Sequence, residues 1–203
     1  MPRKSRGRPH PPGIAFRQRA FQEITQEIGV YAVCDLDGVP IYVGQSVAGI
    51  RERVRRHLTS ARSDVIANRQ VDIWEAAWVL CWPAEIADIP LLEAAVFHHF
   101  NDQSPLMNGT VPPRSANPPN IPEPMQRVQI MSDEDLEARR QPSLRLPRQI
   151  EHYGRLVDHF LTVKDSDQLS RALDAHFERL MRYHREFLEL IGPPPVGSDD
   201  ADT

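Results

Sequence analysis

The chain has 203 residues, 40% of them apolar, with 19 prolines and a net charge of −4. That is enough for one packed domain, or a small domain with an appendage, and the composition is that of a globular protein. No apolar run is long enough to span a bilayer, and no apolar core follows the basic N-terminus, so neither a membrane partner nor a secretory signal is expected.

Cys34 and Cys81 have no CxxC-type spacing, and two buried thiols in a reduced, cytoplasmic protein are the expectation. Charge is unevenly spread. Residues 1–62 carry eleven Lys/Arg against five Asp/Glu, and the remainder carries thirteen against twenty-three. A basic front and an acidic back place a polyanion on one side only.

In chain order, residues 1–20 read as a basic, disordered arm, either solubilising or phosphate-contacting. Residues 29–36 and 40–44 read as strands joined at Asp37-Gly38. Residues 46–61 read as a helix with Ser46 as cap and Ile50, Val54 and Leu58 as its apolar stripe. The stretch "VDIWEAAWVLCW" (71–82) suits either a strand or a helix, and its length and Val/Ile/Trp content favour a strand. A helix follows at 88–100, with Pro90 in its first turn. Six prolines within 109–124 forbid a regular element there, so 111–131 reads as a linker or a surface wrap. Beyond it lie a short helix at 133–140 capped by Ser132 and two amphipathic helices at 147–162 and 167–191. The last carries Leu169, Leu173, Phe177, Leu180, His184 and Phe187 on one side. Residues 193–203 read as an acidic tail. The order is β-β-α-β-α, a linker, then a helical region over 132–192.

Several residues suit chemistry. Tyr31 and Tyr42 flank the hairpin, as ordinary strand tyrosines or as a displayed pair. Arg51, Arg53, Arg55, Arg56 and Arg62 crowd the next helix around His57, with Glu52 the one local counter-charge. This is either a solvated basic face or a phosphate-binding surface. Glu93 shares a helix face with Val96, Phe97 and Phe100, so its carboxylate is either salt-bridged to an arginine or a metal ligand. Asn108, before Gly109, is ordinary turn chemistry taken alone. His98 and His99 with Glu93 make no zinc set, and no phosphate-binding loop or HExxH is present.

Taken together, "GVY" at 29–31 and "YVG" at 42–44, ten residues apart, resemble the paired signature of the GIY-YIG nuclease superfamily. Arg53 and His57 in "IRERVRRHL", Glu93 in "PLLEAAVFHHF" and Asn108 in "PLMN" match the family's later positions in order. The resemblance covers residues 29–108. It implies an α+β fold with a small three-stranded antiparallel sheet flanked by helices, residues 21–110 forming the nuclease domain and the C-terminal helices an extension. It makes 71–82 the third strand. Where some members have a lysine after the second glycine, this chain has Gln45.

The implied activity is hydrolysis of DNA phosphodiesters with one Mg²⁺ or Mn²⁺, leaving 5′-phosphate and 3′-hydroxyl ends, in an enzyme of restriction, phage or mobile-element type. Tyr31, Tyr42, Arg53, His57, Glu93 and Asn108 would form the catalytic set and Glu93 would hold the metal. Arg53 would bind the phosphate. Tyr31 would be general base or orienter of the water, Tyr42 a positioning group and His57 a proton relay or phosphate contact. Asn108 would fix the loop beside Glu93. Gln45, Arg51, Arg55, Arg56 and Arg62 would contact DNA. Two other readings stand beside this one: a DNA-binding module without turnover, and an interaction protein acting through its C-terminal helices. The helical hairpin either forms a homodimer surface or folds back on the core. In the first case, deleting 125–203 turns double-strand cleavage into nicking.

Overall fold

The computed structural model describes residues 12–60, 68–163 and 166–192. Residues 1–11, the acidic tail and Arg62 lie outside the described residues. Among the described residues the elements are α1 (Pro12–Glu23), β1 (Gly29–Cys34), β2 (Pro40–Ser46), α2 (Ile50–Thr59), β3 (Trp78–Pro83), α3 (Ile89–Asn101), β4 (Gln126–Gln129), α4 (Asp133–Arg140), α5 (Pro142–Thr162) and α6 (Asp167–Ile191). The architecture is α+β.

The sheet is antiparallel throughout, in the order β2-β1-β3-β4. It has four strands where three were expected. The fourth comes from the stretch read as linker. Prolines end at Pro124, the amides of Gln126–Gln129 are free to pair, and β3 offers them its open edge, with Val79 opposite Val128. The Pro-rich segment before β4 wraps α3 and β3. Trp82 Nε1 donates to Pro122 O at 2.8 Å, and Arg114 pairs with Asp102 at 2.8 Å.

Residues alternate across β1, so each face has its own core. Tyr31 and Val33 pack with Phe21, Ile24, Ile50, Val54 and Leu58 from α1 and α2. Val30 and Ala32 pack with Val43, Leu92, Val96 and Phe97, so α3 covers the other face. The third strand, expected over 71–82, spans Trp78–Pro83; Trp74 lies in a turn before it, its ring 5.1 Å from the Arg17 guanidinium. Cys34 and Cys81 are buried free thiols.

Residues 12–20, read as part of a disordered arm, belong to α1. Arg17 is buried and donates to the carbonyls of Ile130, Ile73 and Ala76 at 3.2, 2.7 and 2.9 Å. Its charge is spent on backbone acceptors, not on phosphate. Burial, with Arg139 nearby, lowers its pKa to about 10.

The C-terminal helices fold back on the sheet. Helix α5 begins at Pro142, not at 147, because its first two turns carry the buried Arg145, Leu146 and Gln149. Helix α6 spans the expected residues but turns a different face inward. The buried row is Leu169, Ala172, His176, Arg179 and Tyr183, while Phe177 is 50% exposed. Polar partners in the core decide this. Arg179 meets Asp35 at 3.0 Å, and Arg145, itself bonded to Glu75, reaches the Tyr183 hydroxyl at 3.1 Å. Arg148, Gln149 and Arg182 complete a buried ionic cluster around Asp35, Asp72 and Glu75. No described helix is long and apolar enough to cross a membrane.

Candidate functional site

The β1–β2 hairpin sets the first two side chains. Asp35 builds the turn: its Oδ1 accepts from Asp37 N at 3.0 Å and Val39 N at 2.9 Å. Gly38 sits at φ +80° there, a backbone region that glycine enters without strain. An irregularity between Val33 and Cys34 then sets Val33 opposite Tyr42 and Tyr31 opposite Gly44. Tyr31 and Tyr42 thus share a face, with ring centroids 6.4 Å apart.

Helix α2 lays His57 and Arg53 over that face. Its first turn is anchored by Ile50 N bonding to Glu27 O at 2.9 Å, and Ser46 Oγ donates to the carbonyl of the capping Gly49 at 2.8 Å. Ser46 therefore closes β2 and is not the helix cap that was expected. The His57 ring is 6.3 Å from Tyr31 and 5.6 Å from Tyr42, centroid to centroid. Arg53 lies one turn earlier, at i−4. Tyr31 Oη and Arg53 Nε are both buried and have no well-formed hydrogen bond among the described residues. Burial, and after it Tyr42, push the Tyr31 phenol well above its ordinary pKa; Arg53 pulls the other way without reversing the shift.

Glu93 arrives from the opposite side. Helix α3 runs along the outer strand β2, and Glu93 meets Tyr42 in a cleft of about 570 Å³. It is half-buried and makes no hydrogen bond or salt bridge among the described residues, so the arginine salt bridge considered from sequence does not form. Burial raises its pKa, with Arg53 opposing. Asn108 lines the same cleft but is occupied: its Oδ1 accepts from Val43 N at 3.0 Å and its Nδ2 donates to Val43 O at 2.6 Å. It seals the outer edge of β2 beside Glu93.

The arginines divide. Arg53, Arg55 and Arg56 line a second cleft of about 490 Å³ with Ser46 and Thr59. Arg55 also pairs with Glu52 at 2.9 Å on the surface. Arg51 turns inward, its Nε donating to Ile24 O at 2.7 Å. Gln45 pairs with Val30 across the ladder and so belongs to the face opposite Tyr31 and Gly44. The structure does not bring Gln45 to the tyrosines.

An unpaired, partly desolvated carboxylate facing a polar cleft suits a hard divalent cation, which would satisfy a charge that burial otherwise disfavours. Among the described residues no group of three His, Cys, Asp or Glu comes together. An ion here would rest on Glu93 alone and complete its shell with water and phosphate oxygens, a coordination Mg²⁺ accepts.

Gln70 and Gln168 also line the Glu93 cleft, and sequence reasoning did not select them. They lie in a loop and in the first turn of a distant helix, and no local pattern marks them. Compared with known proteins, the chain matches no family model, no curated protein and no solved structure.

Proposed function

We propose that this chain is a metal-dependent DNA endonuclease of the GIY-YIG type. The observation that carries this is the convergence of two tyrosines, a histidine, an arginine and a carboxylate that has no partner among the described residues. Phosphodiester hydrolysis must orient and deprotonate a water, neutralise charge on a five-coordinate phosphorus and stabilise the leaving oxygen. Arg53, the shared neighbour of Tyr31 and Glu93, binds the scissile phosphate and offsets its growing charge.

Tyr31 acts as a neutral phenol. Burial holds its proton on, so of the two roles expected from sequence, orienting the attacking water fits and phenolate base does not. His57, packed against both tyrosine rings, takes the water's proton. Tyr42 borders the Glu93 cleft and positions the phosphate. Glu93 would hold Mg²⁺ or Mn²⁺, which when bound supplies charge neutralisation at the phosphate and the leaving 3′ oxygen. Arg55 and Arg56 extend the phosphate-binding surface.

The test is supercoiled plasmid incubated with the wild type or Glu93→Ala, in Mg²⁺, Mn²⁺ or EDTA. Nicking or linearisation that needs metal and is lost in the variant supports the reading. Equal cleavage by the variant or in EDTA, or neither cleavage nor DNA binding at low salt, refutes it.

A further inference from the structure

The two clefts, one lined by Arg53 and the other by Glu93, differ in chemistry. The first is basic, lined by Arg53, Arg55 and Arg56. The lining of the second includes Asn68, Gln70, Gln168 and Val111 and no lysine or arginine. DNA-binding surfaces separate in this way, with cations on phosphates and paired donor–acceptor groups on base edges.

Gln70 is the informative residue. It is 6% exposed, yet its carboxamide makes no hydrogen bond among the described residues. The carboxamide lines the cleft and keeps donor and acceptor capacity there for a ligand. Its backbone is held firmly, since its carbonyl oxygen bonds to His176 Nε2 at 2.9 Å. Gly109 keeps the side chain open to the cleft. A Cβ there would lie 2.7 Å from Gln70 Nε2 and 2.9 Å from Gln168 Cβ. The absence of a side chain at 109 lets the two glutamines approach from opposite sides of the loop.

We propose that this cleft is a nucleobase pocket and that Gln70, with Gln168, reads the base edge next to the bond that is cut. The proposal rests on the phosphodiester reading, because Tyr42 and Glu93 line the same cleft. A carboxamide offers one acceptor and two donors and matches a base edge with adjacent donor and acceptor, adenine N6 and N7 being the best fit. The volume of about 570 Å³ lies within the range of small-ligand sites and exceeds what a phosphate alone fills. A good bidentate pair separates right from wrong base by roughly 5- to 150-fold.

The experiment uses the full chain and a DNA library randomised around the cut position, with the junctions sequenced. The wild type is expected to favour adenine at one nucleotide beside the cut, and Gln70→Ala to flatten that bias. Gln70→Glu, which exchanges donor for acceptor, should move the preference toward cytosine, whose N4 donates. Gln168→Ala, an exposed change that does not threaten folding, should weaken the bias in part. A second readout is binding of labelled oligonucleotides in EDTA with each base, or an abasic site, at that position. Base-selective binding that Gln70→Ala abolishes, in a protein that never cuts, keeps the pocket and refutes the nuclease. Cutting with no bias, or with a bias that neither glutamine affects, keeps the nuclease and refutes the pocket. Neither cutting nor base-selective binding overturns both.

Discussion

Gly44 stands across the sheet ladder from Tyr31, and a Cβ added to it would lie 2.6 Å from the Tyr31 hydroxyl and 2.8 Å from Cζ. The bare backbone at 44 is what lets the phenol lie over β2 toward His57. Gly44→Ala is therefore expected to displace the Tyr31 ring while leaving the strand paired. Since a shift of about 1 Å at a catalytic group costs on the order of 100-fold in rate, plasmid cleavage should fall by about that much. Thermal unfolding should fall by no more than about 5 °C. A variant that cleaves at the wild-type rate would remove Tyr31 from the mechanism.

Asn108 supplies both partners for the backbone of Val43 at the outer edge of the sheet. Asn108→Ala leaves a buried N–H and C=O unpaired, which costs about 1–3 kcal/mol each without replacement by water. Urea unfolding should show a loss in that range. Asn108→Asp should be worse than Ala at neutral pH, because it loses the donor and sets a carboxylate against a carbonyl. Equal stability of all three chains would show that the edge is not held this way.

Arg145 is 1% exposed and lies against Glu75, Asp37 and Tyr183. Burial works against its charge, and the surrounding carboxylates more than offset this, so its pKa is raised. Arg145→Met leaves Glu75 with Arg148 as its one remaining cation among the described residues and should cost up to about 3 kcal/mol in urea unfolding, the low end for breaking a buried pair. Adding Glu75→Gln should recover part of that loss, and strict additivity of the two would show they do not interact.

The same cluster changes the outcome of truncation. A chain ending before residue 125 lacks β4, the Ile130 carbonyl that receives Arg17, and every basic partner of Asp35 and Glu75. It should be unfolded by circular dichroism, not the folded nicking enzyme expected if the helices formed a dimer surface. A soluble, helical, metal-dependent fragment would contradict this.

His176 is buried beside His152, ring centroids 4.9 Å apart. Burial, then His152, lowers its pKa to about 3, and burial lowers that of His152 as well. Both are neutral in the fold, whereas an unfolded histidine titrates near 6.5. The stability that His176 contributes is present above about pH 6.5 and is lost as pH falls toward 3, at about 1.4 kcal/mol per pH unit for each proton taken up on unfolding. His176→Gln retains a donor for the Gln70 carbonyl and removes one such proton. The slope of unfolding free energy between pH 6.5 and 5 should flatten by about that amount, and an unaltered slope would place the titration elsewhere.

The pattern of short range was written in the chain itself. Alternation with Val, Ile and Tyr makes β1 and β2, Asp37-Gly38 turns them, and helical spacing places Arg53 beside His57 and Glu93 on an apolar face. These are local preferences, and they suffice for the order from β1 to α3, whereas α1 and β4 were not read from them and the catalytic candidates came from the family resemblance. What lies between elements distant in sequence was decided by packing. Arg17 and Arg51 look like phosphate contacts by composition, but buried carbonyls need donors and claim them. Helix α6 has two amphipathic faces, and the one carrying Arg179 and Tyr183 turned inward because Asp35 and Glu75 were already buried there. The strand β4 required an open edge on β3, and the approach of Gln70 and Gln168 to one cleft required a loop and a helix about a hundred residues apart to meet at Gly109. Such meetings depend on desolvation and the pairing of buried polar groups, which belong to the folded ensemble and leave no period in the sequence.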